Sequence, residues 1–491
     1  MFFMLMNILD TALFATPVSP TLGVGFHNVG SGVLRASHET VVKQVERHYG
    51  ERCGHLPLDA GNVRVLVDQH TTDIRTQMDY LSQLFGKTVT PRTLDELRAE
   101  KEKLAGPAPL VVPYINVPET ETHMRAALGT QPWGLPGNMT HALKNKVNFY
   151  LLADEFDLEE FRPPDYAVST LDDLTKAATH FLSWVEELYH QAGIAHIYPM
   201  GVMLRAAESD GNYGCCLVYE NSTGIEVVPN GDVEHAQRYT CWQDALHSSR
   251  EHLAATMNTQ KEARIVISRY IDFADSPGMS VVIIEGQVKS LGWNSQLQKK
   301  GSKACIGTST YLPRNPHLQR MQQQYEEQTA AFFETFLRKT ARKCGVDFAS
   351  IRGVANVDIM IPGELELKLQ RERKQPVVNY LAECNPRWTN YTDAIMTVLG
   401  ANRKAQTINN MRVVIQAGIC TFDKYPLPEK VDVGRLRAYL AERDDVLKLE
   451  GTRIICRMAK NPMGLIFAGD VKQAEQEVQS ALIQVWEKEE C

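Results

Sequence analysis

Residues 380–387, Tyr-Leu-Ala-Glu-Cys-Asn-Pro-Arg, place the strongest constraint on what this chain can fold into and bind. They continue a β-type run over residues 376–382, and alternate side chains of a strand share one face. The pattern therefore predicts that Glu383, Asn385 and Arg387 point the same way. Two oxygen ligands and a guanidinium fork suit Mg²⁺ and phosphate, because Mg²⁺ prefers oxygen ligands and shares them with phosphates.

A second apolar run, residues 353–361, contains the carboxylate Asp358. A charged side chain in such a run needs a partner. Antiparallel pairing of the two strands would bring Asp358 to Glu383 over one metal site. The alternative is an ordinary hairpin with salt-bridged carboxylates, and three complementary groups on one strand face favour the metal site. Residues 362–375 are charged and predict an exposed connection.

Length and composition limit the class of protein. A chain of 491 residues exceeds one hydrophobic core, so two or three domains are expected. The net charge is -7 and no long basic run occurs, which argues against nucleic acid as the main partner. The 10 cysteines form no CxxC pair, which indicates a reducing compartment and no structural zinc.

The apolar start of the chain is not typical of a membrane or secretory segment. No Lys or Arg precedes Arg35, and Asp10 interrupts the apolar run. A secretory signal has a positive region before its apolar part, and a bilayer span needs a longer run. We expect a buried N-terminal element and a cytoplasmic protein that has no membrane partner.

The first part of the chain reads as a mixed α/β domain. Its predicted strands are residues 62–68 and 109–115, and its predicted helices are residues 71–85 and 119–128. A loose glycine cluster precedes them without the GxGxxG spacing, so a flexible loop is the expected structure. Its members are Gly23, Gly25, Gly30 and Gly32.

Two upstream features are candidate phosphate-binding elements. Lys146 opens a helix-like run, with Lys144 as an alternative, and a solvated surface lysine is the competing interpretation. Residues 202–218 predict a strand, a polar glycine-bearing loop and a strand. The backbone N–H groups of such a loop can bind phosphate, although a plain hairpin is the alternative.

The other long patterns look structural. Residues 171–191 and 318–343 keep helical spacing of apolar side chains, and Gly193 and Gly345 follow their ends. Near the C-terminus we expect two paired strands and an amphipathic helix, residues 451–458, 464–468 and 471–487.

Taken in order, these motifs resemble the ATP-grasp superfamily over residues 136 to 400. The closing pattern there is an apolar-Asp strand followed by Glu-x-Asn-Pro-Arg. The resemblance implies an α/β (α+β) fold, the ATP-grasp fold with a Rossmann-like pre-ATP-grasp domain at its N-terminus. The implied domains are residues 1–135, an ATP-grasp domain 136–404 with a lid at about 195–270, and a small α/β extension 405–491.

The resemblance also implies roles for individual residues. Asp358, Glu383 and Asn385 would hold two Mg²⁺ ions on ATP, and Arg387, the catalytic cation, would contact phosphate or the acyl phosphate. The implied nucleotide contacts are Lys146, Arg205, Ser209, Gly211, Gly214 and the adenine hinge Arg269, Tyr270 and Ile271.

The chain departs from the family pattern at several of these positions. Arg205 stands where the family usually has a lysine, Ser209 and Asn212 stand where glycines are common, and Ser268 replaces a frequent hinge glutamate. Gln296 and Lys300 lie in a polar segment that would face the reaction centre.

The implied activity is an ADP-forming ligase that joins a small-molecule carboxylic acid to an amine through an acyl phosphate. Within the superfamily the chain most resembles natural-product peptide and amino-acid ligases of the pheganomycin type. Dimers are common among such enzymes, so a homodimer is compatible with the resemblance. The alternatives are a carboxylase-like or thiol-ligating enzyme and a non-catalytic nucleotide-binding protein.

Overall fold

The computed structural model describes most of the chain. The described residues are 12–14, 20–28, 56–104, 106–194, 200–208, 214–256, 263–298, 305–376, 378–428, 431–458 and 463–487. The predictions for Ser209, Gly211, Gly30, Gly32 and Lys300 lie outside them.

The N-terminal part contains a parallel sheet with helices. Its strands are β1 Leu22–Phe26, β2 Asn62–Leu66, β3 Val89–Arg92 and β4 Leu110–Pro113, and its helices are α1 Thr72–Phe85, α2 Leu94–Lys103 and α3 Pro118–Leu128. All pairs are parallel, in the order β3-β2-β1-β4. The strand order reverses at β1, so the carboxyl ends of β1 and β4 flank a topological switch point, the usual ligand crevice of open α/β sheets.

The glycine cluster is not the predicted loop where the structure describes it. Gly23 and Gly25 lie inside β1. A Cβ added at Gly25 would stand 2.6 Å from Leu56 Cδ2, so β1 packs too closely against Leu56 for a larger residue at this position. The prediction was wrong because glycine here serves close packing rather than a turn.

Two short helices then lead into an antiparallel sheet. The elements are α4 Gly137–Lys144, α5 Lys146–Glu155, β5 Tyr166–Thr170, α6 Leu174–Gln191, β6 Met200–Ala206, β7 Cys215–Asn221, β8 Gly224–Pro229, β9 Gln237–Tyr239, α7 Trp242–Thr256 and β10 Arg264–Arg269. The strands form a six-stranded sheet in the order β5-β10-β6-β7-β8-β9. Helices α6 and α7 pack on it around a shared core.

A nine-stranded sheet forms the centre of the molecule. Its strands are β11 Phe273–Asp275, β12 Gly278–Ile284, β13 Gln287–Gln298, β14 Cys305–Thr310, β15 Arg352–Pro362, β16 Tyr380–Asn385, β17 Ile419–Tyr425, β18 Arg453–Met458 and β19 Met463–Ala468. The order is β11-β15-β12-β13-β14-β17-β19-β18, and β16 pairs with β15. The accompanying helices are α8 Pro316–Lys343, α9 Glu364–Glu372, α10 Asn390–Ala401, α11 Ile408–Ala417, α12 Val433–Leu447 and α13 Val471–Glu487.

The two faces of this sheet differ in what covers them. Val357 and Ile359 share a core with the predicted aromatic stripe of α8, which is buried as expected. Val354 instead belongs to a core with Trp388 and Tyr391. Alternation along β15 therefore places Asn356 and Asp358 on the face turned away from α8.

The predicted exposed connection after β15 is wrong in part, because residues 362–375 contain helix α9. Glu366 and Gln370 of α9 are each 1% exposed. Glu366 accepts hydrogen bonds from Arg269, and Gln370 donates to the Tyr380 hydroxyl at 2.6 Å. These polar side chains are buried because the fold supplies partners that lie far away in the sequence.

The sheets cross the domain boundaries expected from the sequence. Strand β17 pairs with β14, so the central sheet continues past residue 404 into the C-terminal part. The six-stranded sheet includes β5, which precedes the expected lid.

The predicted α/β class is confirmed, as is the C-terminal pairing of β18 with β19. Among the described helices, none is sufficiently long and apolar to cross a membrane.

Candidate functional site

The predicted pairing of the two carboxylate strands is confirmed. Strands β15 and β16 run antiparallel, with Asp358 opposite Glu383 and Asn356 opposite Asn385. Asn385 Nδ2 donates to Asp358 Oδ2 at 3.3 Å, and Gln296 Nε2 donates to Asp358 Oδ1 at 3.4 Å. The structure therefore gathers two carboxylates and two amides from strands β13, β15 and β16.

Lys146 reaches this group from the first residue of α5. The Asn145 side chain caps the helix, and the Lys146 backbone N–H donates to Ala207 O at 2.8 Å, just beyond β6. The Lys146 Nζ lies 3.2 Å from Glu383 Oε2, and the residue is 6% exposed. Lys146 thus contacts Glu383, and it is a buried side chain rather than a solvated surface charge.

Arg205 approaches the same carboxylate from β6. Its Nη1 lies 3.8 Å from Glu383 Oε2 and donates to Ala382 O at 3.5 Å. Its Nη2 donates to the Tyr150 hydroxyl. Its Nε is buried and makes no hydrogen bond within the described part of the chain. A buried donor of this kind is costly to leave unpaired, so Arg205 is suited to an anionic ligand.

Tyr150 was not singled out in the sequence, although a signal was present. It lies four residues after Lys146 on α5, and side chains at that spacing share one helix face. Burial raises the pKa of the Tyr150 hydroxyl, with Arg205 opposing the shift. The neutral hydroxyl can therefore accept the hydrogen bond that orients Arg205.

The two strands predicted on either side of the polar loop are present as β6, which contains Arg205, and β7. They pair antiparallel. Gly214 ends the loop with φ 74, a left-handed conformation that favours glycine. Its carbonyl accepts from Ala206 N at 2.9 Å, and its N–H donates to Asn230 Oδ1 at 3.2 Å. Gly214 thus fixes where the loop rejoins the sheet.

Arg387 joins the same group from the other side. Its Nη2 donates to Asn385 Oδ1 at 3.0 Å. Its Nη1 donates to the Tyr114 hydroxyl at 3.0 Å and to Trp388 O at 3.1 Å. Tyr114 follows β4, so the N-terminal sheet contacts the predicted catalytic cation. No local sequence pattern links Tyr114 to Arg387, since they lie far apart in the chain.

The structure does not bring the Arg269 side chain to Glu383. Arg269 is 2% exposed and donates to both Glu366 oxygens, at 2.7 and 2.9 Å. Tyr270 N–H donates to Gly201 O at 2.8 Å, and Ile271 is 5% exposed in the main core. The Arg269 side chain and the Tyr270 N–H are therefore already engaged within the fold.

Cys384 lies between Glu383 and Asn385, two of the predicted metal ligands, but its thiol is not a ready nucleophile. Burial, with Asp358 and Glu383 nearby, raises the pKa of its thiol well above the ordinary value. The reactive thiolate is thus strongly disfavoured at neutral pH.

The donor set fits Mg²⁺. Asp358 and Glu383 supply carboxylate oxygens, and Asn385 Oδ1, which accepts from Arg387 Nη2, keeps a second lone pair for a ligand contact. Within the described ranges no three His, Cys, Asp or Glu side chains form a metal-binding group. A metal held here would complete its shell with Asn385, phosphate oxygens and water, as Mg²⁺ commonly does.

Comparison with known proteins gives distant structural matches. No family model and no curated protein matches the chain. N5-carboxyaminoimidazole synthetase from Staphylococcus aureus complexed with ADP is 9% identical, with 96% of this chain and 100% of that chain covered and a TM-score of 0.49. Biotin carboxylase from Campylobacter jejuni, in a beta-gamma-ATP complex, is 11% identical, with 85% of this chain and 84% of that chain covered and a TM-score of 0.47.

A third solved structure is similar to the same extent. N5-carboxyaminoimidazole synthase from Aspergillus clavatus, in complex with ADP and 5-aminoimidazole ribonucleotide, is 14% identical, with 87% of this chain and 99% of that chain covered and a TM-score of 0.46. At these identities and TM-scores the similarity assigns no family, so the function has to be argued from the site itself.

Proposed function

We propose that this chain is an ATP-grasp ligase that joins a carboxylic acid to an amine and releases ADP and phosphate. The observation that supports it best is the convergence of Lys146 and Arg205 on Glu383, directly across from Asp358. These cations come from two different elements and meet Glu383 on β16, which pairs with Asp358 on the neighbouring strand β15. The substrate class we propose is an amino acid or small peptide of a natural-product pathway.

The balance of charge in the site favours a phosphate-rich ligand. Lys146, Arg205 and Arg387 are three cations, and Asp358 and Glu383 are two carboxylates. Arginine and lysine donors bind phosphate oxygens, with arginine able to use two donors at once. We assign the α- and β-phosphates of ATP to Lys146 and Arg205. We assign to the loop that ends at Gly214 the role of covering these phosphates.

Asp358, Glu383 and Asn385 would hold the metal, with two Mg²⁺ ions proposed. When bound, Mg²⁺ neutralises charge that develops on the phosphates during transfer. Glu383 would then bind the metal in place of Lys146 and Arg205, which would leave both cations available to the phosphates.

The reaction we propose has two steps. A carboxylate oxygen of the acid attacks the γ-phosphorus of ATP, the bond to the β-phosphate oxygen breaks, and ADP leaves. The amine nitrogen then attacks the carbonyl carbon of the acyl phosphate, phosphate leaves, and the nitrogen loses a proton to solvent. Arg387 stabilises the charged oxygens of the transferred group, as fixed cations do in such sites.

The six-stranded sheet is the proposed lid. Its strand β6 carries Arg205, and the loop ends at Gly214, directly before β7. Closure of this sheet would therefore cover the phosphates and exclude water from the acyl phosphate. We extend the lid to begin at β5, and we retain three parts for the chain: residues 1–135, 136–404 and 405–491. The C-terminal part shares the central sheet through β17.

The test is ADP and phosphate release from Mg-ATP with a panel of ¹⁸O-carboxyl-labelled acids and unlabelled amines, followed by mass spectrometry. The proposal predicts a product of mass acid plus amine minus water and one ¹⁸O atom in the released phosphate. AMP release would contradict the acyl-phosphate route. ADP release that depends on bicarbonate or on a thiol acceptor would instead establish one of the alternative ligases.

A further inference from the structure

The carboxyl ends of β1 and β4 bring an aromatic pair to the edge of the proposed site. His27 follows β1 and Tyr114 follows β4. Their rings stack at 4.0 Å with an interplanar angle of 29°. Tyr114 is 5% exposed, so its ring is fixed between the N-terminal sheet and the segment after β16.

The backbone of Tyr114 is held on both sides. Its N–H donates to Phe26 O at 2.8 Å, and its carbonyl accepts from Trp388 N at 3.1 Å. Trp388 stacks on Trp133 at 5.3 Å, and Phe14 meets Trp133 edge-on at 5.1 Å. This aromatic block fixes residues 387 and 388 relative to the N-terminal sheet.

The Tyr114 side chain then reaches Arg387 itself. The hydroxyl accepts from Arg387 Nη1 at 3.0 Å, and the guanidinium carbon lies 5.4 Å from the ring centroid. The other end of the guanidinium donates to Asn385 Oδ1. The planar fork is therefore held at one end by the N-terminal sheet and at the other by a proposed metal ligand.

We infer that Tyr114 is a positioning residue whose hydroxyl holds the Arg387 guanidinium in the orientation that meets the transferred phosphoryl group. The inference rests on the proposed function. A fork with a fixed plane offers its donors to an anion without first losing rotational freedom, so the hydroxyl contributes to binding of the γ-phosphoryl group. A Tyr114 that only packs two parts of the molecule together needs its ring and backbone but not its hydroxyl.

The Tyr114→Phe variant separates these two accounts, because phenylalanine keeps the ring and the backbone contacts. Calorimetry would measure the Kd of Mg-ADP and of Mg-β,γ-imido-ATP, which differ in the group that Arg387 is proposed to meet. We expect Y114F to raise the Kd of the imido-ATP complex about 5-fold, less than the loss of a direct hydrogen bond to a charged ligand, because the hydroxyl acts only through Arg387. The Kd of Mg-ADP should stay unchanged.

Two further variants make the assignment specific. In an Arg387→Met background, Y114F should change the imido-ATP Kd by less than about 2-fold, because the two residues act as a unit. Tyr425→Phe removes a buried hydroxyl that accepts from Gln479 Nε2 at 2.7 Å in the C-terminal part, and it should leave both Kd values unchanged. Melting temperatures of Y114F and Y425F within about 3 °C of each other would confirm matched folding.

Three results would overturn the inference: an unchanged imido-ATP Kd in Y114F, an equal loss for both nucleotides, or a full Y114F effect in the R387M background. A wild-type chain that binds neither nucleotide gives a different result, because it overturns the proposed function and this inference with it.

Discussion

Two arginine–glutamate clusters join the six-stranded sheet to its neighbours, one through Glu383 of β16 and one through Glu366 of α9, and they differ in how fully their charges are paired. In the Glu383 cluster, Lys146 and Arg205 share one carboxylate at 3.2 and 3.8 Å, and the Glu383 side chain is 22% exposed. In the Glu366 cluster, Arg269 meets both oxygens of Glu366, and each side chain is 1% exposed.

The surroundings increase this difference. Asp165 contacts Arg269 Nε at 3.3 Å and Arg373 Nη1 at 2.8 Å, so carboxylates of the Glu366 cluster meet several donors. Arg205 Nε has no hydrogen-bond partner within the described residues. A buried and fully paired cluster serves the fold, whereas a partly buried and incompletely paired one can exchange partners with a ligand. The predictions below test this distinction.

The largest expected effect is on folding, from Glu366→Gln. It removes the charge that Arg269 faces in a buried site, and breaking a buried pair in this way costs about 3–5 kcal/mol. Urea denaturation of the variant and the wild type would measure the difference in the free energy of unfolding. A loss below about 1 kcal/mol would place this cluster with surface ion pairs and remove the contrast.

Glu383→Gln should do the reverse, with a large loss of activity and little change in stability. It removes a proposed metal ligand, and loss of one electrostatic contact to the transition state costs about 100-fold in turnover. The Glu383 side chain is 22% exposed, so the free energy of unfolding should fall by less than it does in Glu366→Gln. ADP release and urea denaturation measure the two quantities, and unchanged turnover would refute the metal assignment.

Arg205→Met tests the proposed contact of Arg205 with the phosphates. A hydrogen bond to a charged group contributes about 1.5–3 kcal/mol, so the Kd of Mg-ADP should rise about 10- to 100-fold. The matched control is Arg338→Met, because Arg338 pairs with Glu334 on the surface of α8. Equal Kd values for R205M and R338M would show that Arg205 does not meet the phosphates.

The Arg64–Glu100 pair of the N-terminal part gives the smallest effect, and it depends on pH. Arg64 Nε donates to Glu100 at 3.0 Å, and this hydrogen bond lowers the pKa of the Glu100 carboxyl from 4.5. Because the pKa is lower in the folded state, the stabilisation is present above pH 4.5 and is lost as pH falls through the folded value.

Urea denaturation of the wild type and of Glu100→Gln across pH 7 to 3 would measure that contribution. The difference in the free energy of unfolding should be at most about 1 kcal/mol at pH 7 and should shrink in acid. A difference that stays constant with pH would show that the carboxylate charge does not contribute.

The sequence predicted the carboxylate strands and most long elements because their signals are local. Alternation placed Glu383 and Asn385 on one strand face. The position of Lys146 at the start of a helix made it a candidate phosphate-binding residue. Helix ends marked by Gly86, Gly193 and Gly345 also agree with the structure.

The parts that escaped prediction depend on long-range contacts. Nothing near Glu366 indicates that it pairs with Arg269, and a charged segment between strands resembles an exposed connection until that partner is known. Tyr114 meets Arg387 only after the parallel sheet has formed. The Arg269 side chain likewise looks available in the sequence and is fully engaged in the fold.

The most direct test of the central claim is a crystal structure of the protein with Mg-ADP. We predict that the β-phosphate lies within hydrogen-bond distance of Lys146 Nζ and Arg205, with Mg²⁺ on Asp358 and Glu383 and the Glu366–Arg269 pair unchanged. A nucleotide bound elsewhere, with Glu383 still paired to Lys146, would contradict the account.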